Sequence, residues 1–318
     1  MTTKTQKIIS AGLNALVIFG GFKALITILN LNQISLFLQT SFYIWLFFML
    51  QTAFLYDLHF KKTGSLARSR EKHQMLSGLN RKLKVFGSAI AERSSHLRDW
   101  KFIYSWLNYL LLPGFVYWST ISIFFINFGF LRLQWFFAGL SGAALMLNYW
   151  YIKEIFHRQK EKVDSDVFVV MSMVKIYASA LLYGSSLALV RHYCLSPGYY
   201  VFGVFALTFL LIYQALHQHR MVILKNLIIA LGIAVAMSVL GYWTVIFWGY
   251  NYFTAAVFMG IFYNFFWGVF HYRLDHALSR KAFFELLIFS MVVLVMVFSV
   301  TNFKARLLDG CQYSWFVF

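Results

Sequence analysis

The chain of 318 residues is 60% apolar and 12% charged, whereas soluble globular proteins average about 45–50% apolar and about 25% charged residues. This composition excludes a soluble globular class, and 36 phenylalanines against 2 prolines exclude collagen-like, low-complexity and disordered chains. The net charge of +17 would suggest nucleic acid as the partner of a soluble chain. Here it indicates on which side of a membrane the cations lie, so we predict an integral membrane protein with no nucleic-acid partner.

Apolar segments long enough to cross a bilayer recur along the whole chain. A spanning helix needs about 20 such residues, because the hydrocarbon core is about 30 Å thick and the helix rises about 1.5 Å per residue. The segments are continuously apolar and do not alternate, which favours helices over the strands of a barrel. The pattern predicts one all-α domain over residues 1–318, with nine transmembrane helices at 8–29, 34–56, 102–126, 131–152, 167–190, 197–216, 226–248, 250–270 and 284–303.

The positions of lysine and arginine predict the orientation of this bundle. The long connection 57–101 is basic, and so are the connections after the fourth, sixth and eighth segments. The remaining connections are very short, such as 30–33 and 191–196. By the positive-inside rule the N-terminus and the basic loops lie in the cytoplasm and the C-terminus lies outside. We therefore expect a multi-pass protein of the cell membrane, of the bacterial inner-membrane type, in which topology alone accounts for most of the cations.

Histidines concentrate on the predicted cytoplasmic side. Imidazole can bind a metal, transfer protons or pair with an anion near neutral pH. The spacing only superficially matches the histidine clusters of membrane di-iron enzymes, because neighbouring double histidines are missing. Hydrogen bonding to water or lipid headgroups at the interface is an equally good explanation, so metal binding stays open. The eight residues are His59, His73, His96, His157, His217, His219, His271 and His276.

Two cations fall inside predicted helices, Lys23 and Lys175. An ammonium group at membrane depth costs about 2.5–3.5 kcal/mol on insertion scales, so it faces the bundle interior or extends to an interface. Lys23 lies near the end of its segment and can reach the surface. Lys175, in "VVMSMVKIYASALLYGSS", either extends back to the cytoplasmic border or presents a cation to an anion in a cavity.

The chain resembles the UbiA-type intramembrane prenyltransferase superfamily in several of these features. It shares nine helices, a cytoplasmic N-terminus, an outside C-terminus, a long charged loop between the second and third helices and another cytoplasmic loop between the sixth and seventh. Tyr56-Asp57 stands where the family's second helix ends in Asn-Asp, and "HQMLSG" at 73–78 follows at the family's distance. The stretch around Lys175 is similar to the lysine-containing fifth helix of divergent bacterial members. The resemblance implies a cytoplasm-facing pocket for a lipid or prenyl diphosphate, which the family holds through Mg²⁺ bound to aspartates.

The acidic residues depart from the family pattern. After Asp57 the next carboxylate is Glu71, and "YQALHQHRMVILK" at 213–225 contains none. Because Mg²⁺ in proteins is bound through carboxylates, phosphate oxygens and water, two-ion Mg²⁺ binding is not expected and we predict no cofactor. A cationic rim remains that can hold an anionic headgroup without metal. The predicted substrate-binding residues are Asp57, His59, Arg68, Arg70, Lys72, Lys175, Tyr213, His217, His219 and Arg220.

Three functions are compatible with the sequence. The first is an enzyme of the family in which cations replace the metal, with catalytic residues unknown. The second, favoured by the missing carboxylates, is a degenerate member that binds a membrane lipid, an isoprenoid or membrane-protein partners as a non-enzymatic subunit. The third, a transporter, ranks last, because Pro113 is the one proline inside a predicted helix and Glu285 is the main intramembrane acid. For the first two we expect a cavity lined by aromatic residues near Lys175 and the ends of the second and sixth helices.

Overall fold

The computed structural model describes residues 3–64, 100–157, 165–218, 221–248, 251–274 and 278–301. Within these ranges the chain is helical and contains no strand, which confirms the predicted all-α class. Each of the nine helices coincides with one predicted segment. They are α1 (Thr3–Asn30), α2 (Ile34–Gly64), α3 (Trp100–Ile126), α4 (Leu131–His157), α5 (Ser165–His192), α6 (Pro197–Gln218), α7 (Leu224–Phe247), α8 (Tyr252–Leu274) and α9 (Arg280–Val300).

Several helices are longer than the apolar segments that predicted them. Helix α2 continues to Gly64, and α3 already begins at Trp100. A helix satisfies its own backbone hydrogen bonds, so it can continue into polar sequence beyond the membrane border. The predicted basic connection 57–101 therefore begins inside α2 and ends inside α3, and residues 65–99 lie outside the described part of the chain.

Seven of the described helices, α2, α3 and α5–α9, are long and apolar enough to cross a membrane. Helix α1 contributes a shorter apolar stretch, Leu16–Asn30. Helix α4 is not among the seven, and it carries the buried polar residues Gln134, Ser141 and Asn148. Length and composition thus support a multi-pass membrane protein with seven candidate spans among the described helices, and the count of nine spans stays a prediction.

Helix α5 is the centre of the bundle. It packs against α3, α4, α6 and α8, whereas α9 packs mainly against α8. In agreement, 67% of the residues in the apolar stretch of α5 are buried, compared with 17% in that of α2 and 17% in that of α9. Helix α5 therefore has the most buried of the seven apolar stretches.

Small residues bring α5 and α8 unusually close together. A Cβ atom added at Gly184 would lie 2.6 Å from the Cβ of Ala256, and one added at Gly260 would lie 3.0 Å from the Cβ of Ala180. Each helix thus presents two small residues four positions apart, a spacing that allows close backbone approach in membranes. The pairs Gly184–Ala256 and Ala180–Gly260 also fix the antiparallel register of the two helices.

Hydrogen bonds tie the short connections together at one end of the bundle. Asn30 Nδ2 donates to Gln134 Oε1 at 2.8 Å, and Gln134 Nε2 donates to the carbonyl oxygen of Asn127 at 3.1 Å. The Tyr252 hydroxyl donates to Asn127 Oδ1 at 2.8 Å, and the Arg191 guanidinium donates to the carbonyl of Trp248. The C-terminal ends of α1, α3, α5 and α7 therefore meet at this end of the bundle. We call it the short-loop end, and we call the opposite end the long-loop end.

Candidate functional site

Lys175 is buried in the centre of the bundle. Its side chain on α5 is 4% exposed, and its Nζ lies 5.6 Å from the centroid of the Trp267 ring on α8. An aromatic face attracts a cation, but it does not neutralise the charge. Glu285 is the one acidic residue whose side chain the structure describes, and it pairs with Lys281 at 3.9 Å. Among the described residues, Lys175 thus has no carboxylate partner.

Two buried carboxamides have polar atoms without a hydrogen-bond partner within the described ranges. Gln214 on α6 is 1% exposed, and neither its Nε2 nor its Oε1 is bonded. Asn108 on α3 is 4% exposed; its Nδ2 donates to the Tyr104 carbonyl at 2.8 Å, but its Oδ1 accepts no hydrogen bond. A buried polar group left unpaired costs about 1–3 kcal/mol, so these two amides require an explanation.

Asn108, Lys175 and Gln214 lie at a similar depth in the bundle. The Tyr183 and Thr208 hydroxyls are 2.8 Å apart and fix the register of α5 against α6. Lys175 on α5 and Gln214 on α6 each lie about two turns from this pair, towards the long-loop end. The Tyr104 and His217 rings, with centroids 5.5 Å apart, fix the register of α3 against α6. About one turn from that pair lie Asn108 and Gln214. We call Asn108, Lys175 and Gln214 the buried polar layer.

Three hydroxyl groups of the core, those of Thr120, Ser141 and Tyr177, are hydrogen-bonded to one another. The Thr120 hydroxyl donates to Ser141 Oγ at 2.6 Å, and Ser141 Oγ lies 2.7 Å from the Tyr177 hydroxyl. This chain of hydroxyls joins α3, α4 and α5. Other buried polar atoms also lack a partner among the described residues, namely Trp106 Nε1 and the hydroxyls of Ser119, Tyr200, Tyr263 and Ser290. The amides of the buried polar layer differ from these in lying at the depth of the buried cation Lys175.

A groove of about 580 Å³ runs along one face of α3. Helix α2 contributes Trp45 and Met49 to its wall, and α5 and α6 contribute residues such as Ser186 and Leu207. The α3 residues recur every three or four positions, as expected for one face of a helix. They are Leu107, Leu110, Leu111, Gly114, Phe115, Trp118, Ser119 and Ser122.

The groove is long, apolar and open at the surface of the bundle. From Leu107 to Ser122 it follows α3 for about 22 Å, at a rise of about 1.5 Å per residue. Leu107 is 43% exposed and Trp118 is 37% exposed, so part of the wall faces the surroundings. At the long-loop end, Leu107 is the neighbour of Asn108 in the buried polar layer. The groove thus joins the membrane-facing surface to the depth of the unpaired amides.

Only part of the predicted binding site falls in the described structure. Lys175 lies in the bundle interior, which favours the interior alternative over extension to the border. Tyr213 is half-buried and stacks on Phe209 with ring centroids 6.2 Å apart, and His217 contacts Tyr104. The side chains of Asp57 and His59, and all of Arg68, Arg70, Lys72, His219 and Arg220, lie outside the described residues. The predicted cationic rim therefore stays a prediction.

The sequence analysis did not select Asn108 and Gln214 as site residues. Each is a single amide within an apolar segment, in "WLNYLLLP" and "IYQALHQ", and that isolation is the signal that could have identified them. We predicted a cavity near Lys175 and the ends of the second and sixth helices, and that cavity stays a prediction, because the side chains at the end of α2 lie outside the described residues. The groove extends along α3 towards the short-loop end.

The described residues contain no group of three histidine, cysteine, aspartate or glutamate side chains that could hold a metal ion. Of the cytoplasmic histidines predicted from sequence, His217 and His271 have described side chains, and they lie on different helices, α6 and α8. The remaining six fall outside the described side chains, so a metal site that includes them stays untested.

Comparison of the chain with models of known protein families, with curated protein sequences and with solved structures found no match. The UbiA resemblance therefore stays a resemblance of motifs and helix number. The functional argument depends on the geometry of the groove and of the buried polar layer.

Proposed function

We propose that the protein is a multi-pass membrane protein that binds the hydrocarbon chain of a membrane lipid or isoprenoid in the groove along α3. The observation that carries this proposal is the groove itself: about 580 Å³, walled mostly by leucine and aromatic side chains and open beside exposed Leu107 and Trp118. Several of the helices that form it are apolar enough to span a bilayer. In a membrane the surrounding solvent is lipid, so a single chain is the ligand that such a groove encounters most often.

The proposed fold is UbiA-like, with catalysis lost. The aspartate-rich sequences that bind Mg²⁺ in that family are missing here, which favours a protein that holds a lipid over one that transfers a prenyl group. Such a protein would act as a lipid-binding subunit in the cell membrane, with membrane proteins as partners. An enzyme with cations in place of metal is the alternative, and it needs the basic residues of the predicted rim.

The proposed orientation places the N-terminus and the long-loop end in the cytoplasm and the C-terminus outside. The basic connections all lie on the predicted cytoplasmic side, which is the basis for this assignment. Reporter fusions after Ser77 and after Phe318 test it. We expect the Ser77 fusion to be active only with a cytoplasmic reporter and the Phe318 fusion only with an exported one. Cytoplasmic signals at both positions would contradict the orientation.

Filling the groove should weaken chain binding. Ser186 on α5 and Leu207 on α6 line the groove, so Ser186→Trp and Leu207→Trp each place an indole in its volume. We expect binding of tritiated geranylgeraniol or oleyl alcohol by protein in nanodiscs to weaken by at least about tenfold, equivalent to about 1.4 kcal/mol. Empty nanodiscs provide the background.

A matched control is Ser299→Trp, because Ser299 lies on the exposed face of α9 and bonds only within its own helix, to the carbonyl of Met296 at 2.7 Å. This variant should bind the chain as the unmodified protein does. Equal binding by the groove variants and the control, or equal loss in all three, would show that the groove is not the binding site.

A further inference from the structure

The buried polar layer contains more hydrogen-bond donors than acceptors. Lys175 Nζ carries three N–H donors and Gln214 Nε2 carries two, while the unpaired acceptors are Gln214 Oε1 and Asn108 Oδ1. Because both polar atoms of Gln214 are unpaired, exchanging its oxygen and nitrogen leaves this imbalance unchanged. All three side chains are more than nine-tenths buried. The group that would complete this layer is therefore rich in acceptors and small enough for an interior site.

The positive charge of Lys175 limits which acceptor-rich group can bind in the buried polar layer. Lys175 contributes one positive charge, and no described carboxylate lies against it; its partner is the Trp267 ring at 5.6 Å. A buried ion is stable only when it is paired, so one bound negative charge would balance the layer. A diphosphate would bring several negative charges against a single cation and leave the excess buried. A carboxylate offers one charge and two acceptor oxygens in a compact group.

The position of the layer connects this headgroup to the groove. Leu107 forms the long-loop end of the groove and precedes Asn108 in α3. The groove then extends for about 22 Å along α3, away from the layer. A molecule with a carboxylate at one end and a long hydrocarbon chain satisfies the unpaired donors with its head and the apolar walls with its chain.

We propose that the buried polar layer is the headgroup site for a long-chain carboxylate whose hydrocarbon chain lies in the α3 groove. The chain part rests on the proposed function above; the headgroup part is independent, because it depends on Lys175, Gln214 and Asn108, none of which lines the groove. The protein is then selective for a single-chain acid over the corresponding alcohol.

The test compares tritiated oleate with tritiated oleyl alcohol, which share a chain and differ in headgroup. Binding is measured on the full-length protein in nanodiscs, unmodified and as Lys175→Met, Gln214→Leu and the control Lys225→Met; Lys225 is an exposed lysine of α7. We expect oleate to bind at least about tenfold tighter than the alcohol, because charge-assisted hydrogen bonds are about twice as strong as neutral ones. Lys175→Met should remove that preference, Gln214→Leu should reduce it, and Lys225→Met should keep it.

The outcomes separate the two proposals. If the alcohol and oleate bind equally, or if Lys175→Met and Gln214→Leu weaken both ligands alike, the headgroup site is wrong and the chain site stands. If neither ligand binds the unmodified protein, the proposed function fails as well. A further arm uses geranylgeranyl diphosphate with Mg²⁺ or with a chelator. Binding tighter than that of oleate, in either condition, would overturn the choice of a carboxylate.

Discussion

Replacing Gly184 by leucine is expected to destabilise the folded bundle by about 3 kcal/mol, because overpacking at a tight interface costs about 1–3 kcal/mol and this contact leaves no space. A Cβ at Gly184 would already lie 2.6 Å from the Cβ of Ala256, and the carbonyl oxygen of Tyr252 lies 3.5 Å away. Neither of these neighbours can change rotamer to make room. The α5–α8 interface must therefore open, and α5 is the helix against which α3, α4 and α6 also pack.

The measurement is the midpoint of unfolding in a titration with sodium dodecyl sulfate from mild detergent, followed by tryptophan fluorescence. Gly203→Leu is the matched control, since Gly203 also lies inside a helix, α6, but a Cβ there has nothing within 4 Å. We expect the control to unfold near the midpoint of the unmodified protein. Equal midpoints for Gly184→Leu and Gly203→Leu would show that the close α5–α8 approach does not support the fold.

The positions of the helices were predictable because the signal is local. About 20 continuous apolar residues predict a spanning helix whatever lies beside it, so each observed helix coincides with a predicted segment. Helix α4 shows the limit of that signal. Its Gln134, Ser141 and Asn148 lower the hydropathy, yet Gln134 and Ser141 are held by hydrogen bonds to other helices. The burial of these polar side chains depends on partners in other helices, which the local sequence does not specify.

The candidate site was less predictable because it depends on which helices are neighbours. The four-residue spacing of Ala180 and Gly184 is visible in the sequence, but its pairing with Ala256 and Gly260 joins residues more than 70 positions apart. The same pairing brings Trp267 to Lys175. From the sequence alone, Lys175 could equally extend to the membrane border, and the sequence does not indicate whether Asn108 faces the interior or the surface of the bundle. The long-range helix packing determines that Lys175 and Asn108 are buried instead.

Replacing Lys175 by methionine is expected to stabilise the lipid-depleted protein by about 2.5–3.5 kcal/mol, the cost of inserting a lysine at membrane depth. Methionine fills a similar volume, is flexible and makes favourable contacts with aromatic rings such as Trp267. Replacing a buried charge by an apolar residue of similar size is often stabilising. The measurement is again the unfolding midpoint in a titration with sodium dodecyl sulfate, with Lys225→Met as the exposed control.

The sign of this change distinguishes a binding role from a structural one. If Lys175 serves the fold, through its contact with the Trp267 ring, Lys175→Met lowers the midpoint, and that result would contradict the expectation. If Lys175 binds a ligand, the protein keeps a buried charge that lowers the stability of its ligand-free fold, as is common at functional sites. Adding oleate should then raise the midpoint of the unmodified protein more than that of Lys175→Met, because a ligand stabilises the folded state in proportion to how tightly that state binds it. The stability difference between the two proteins should therefore shrink as oleate is added.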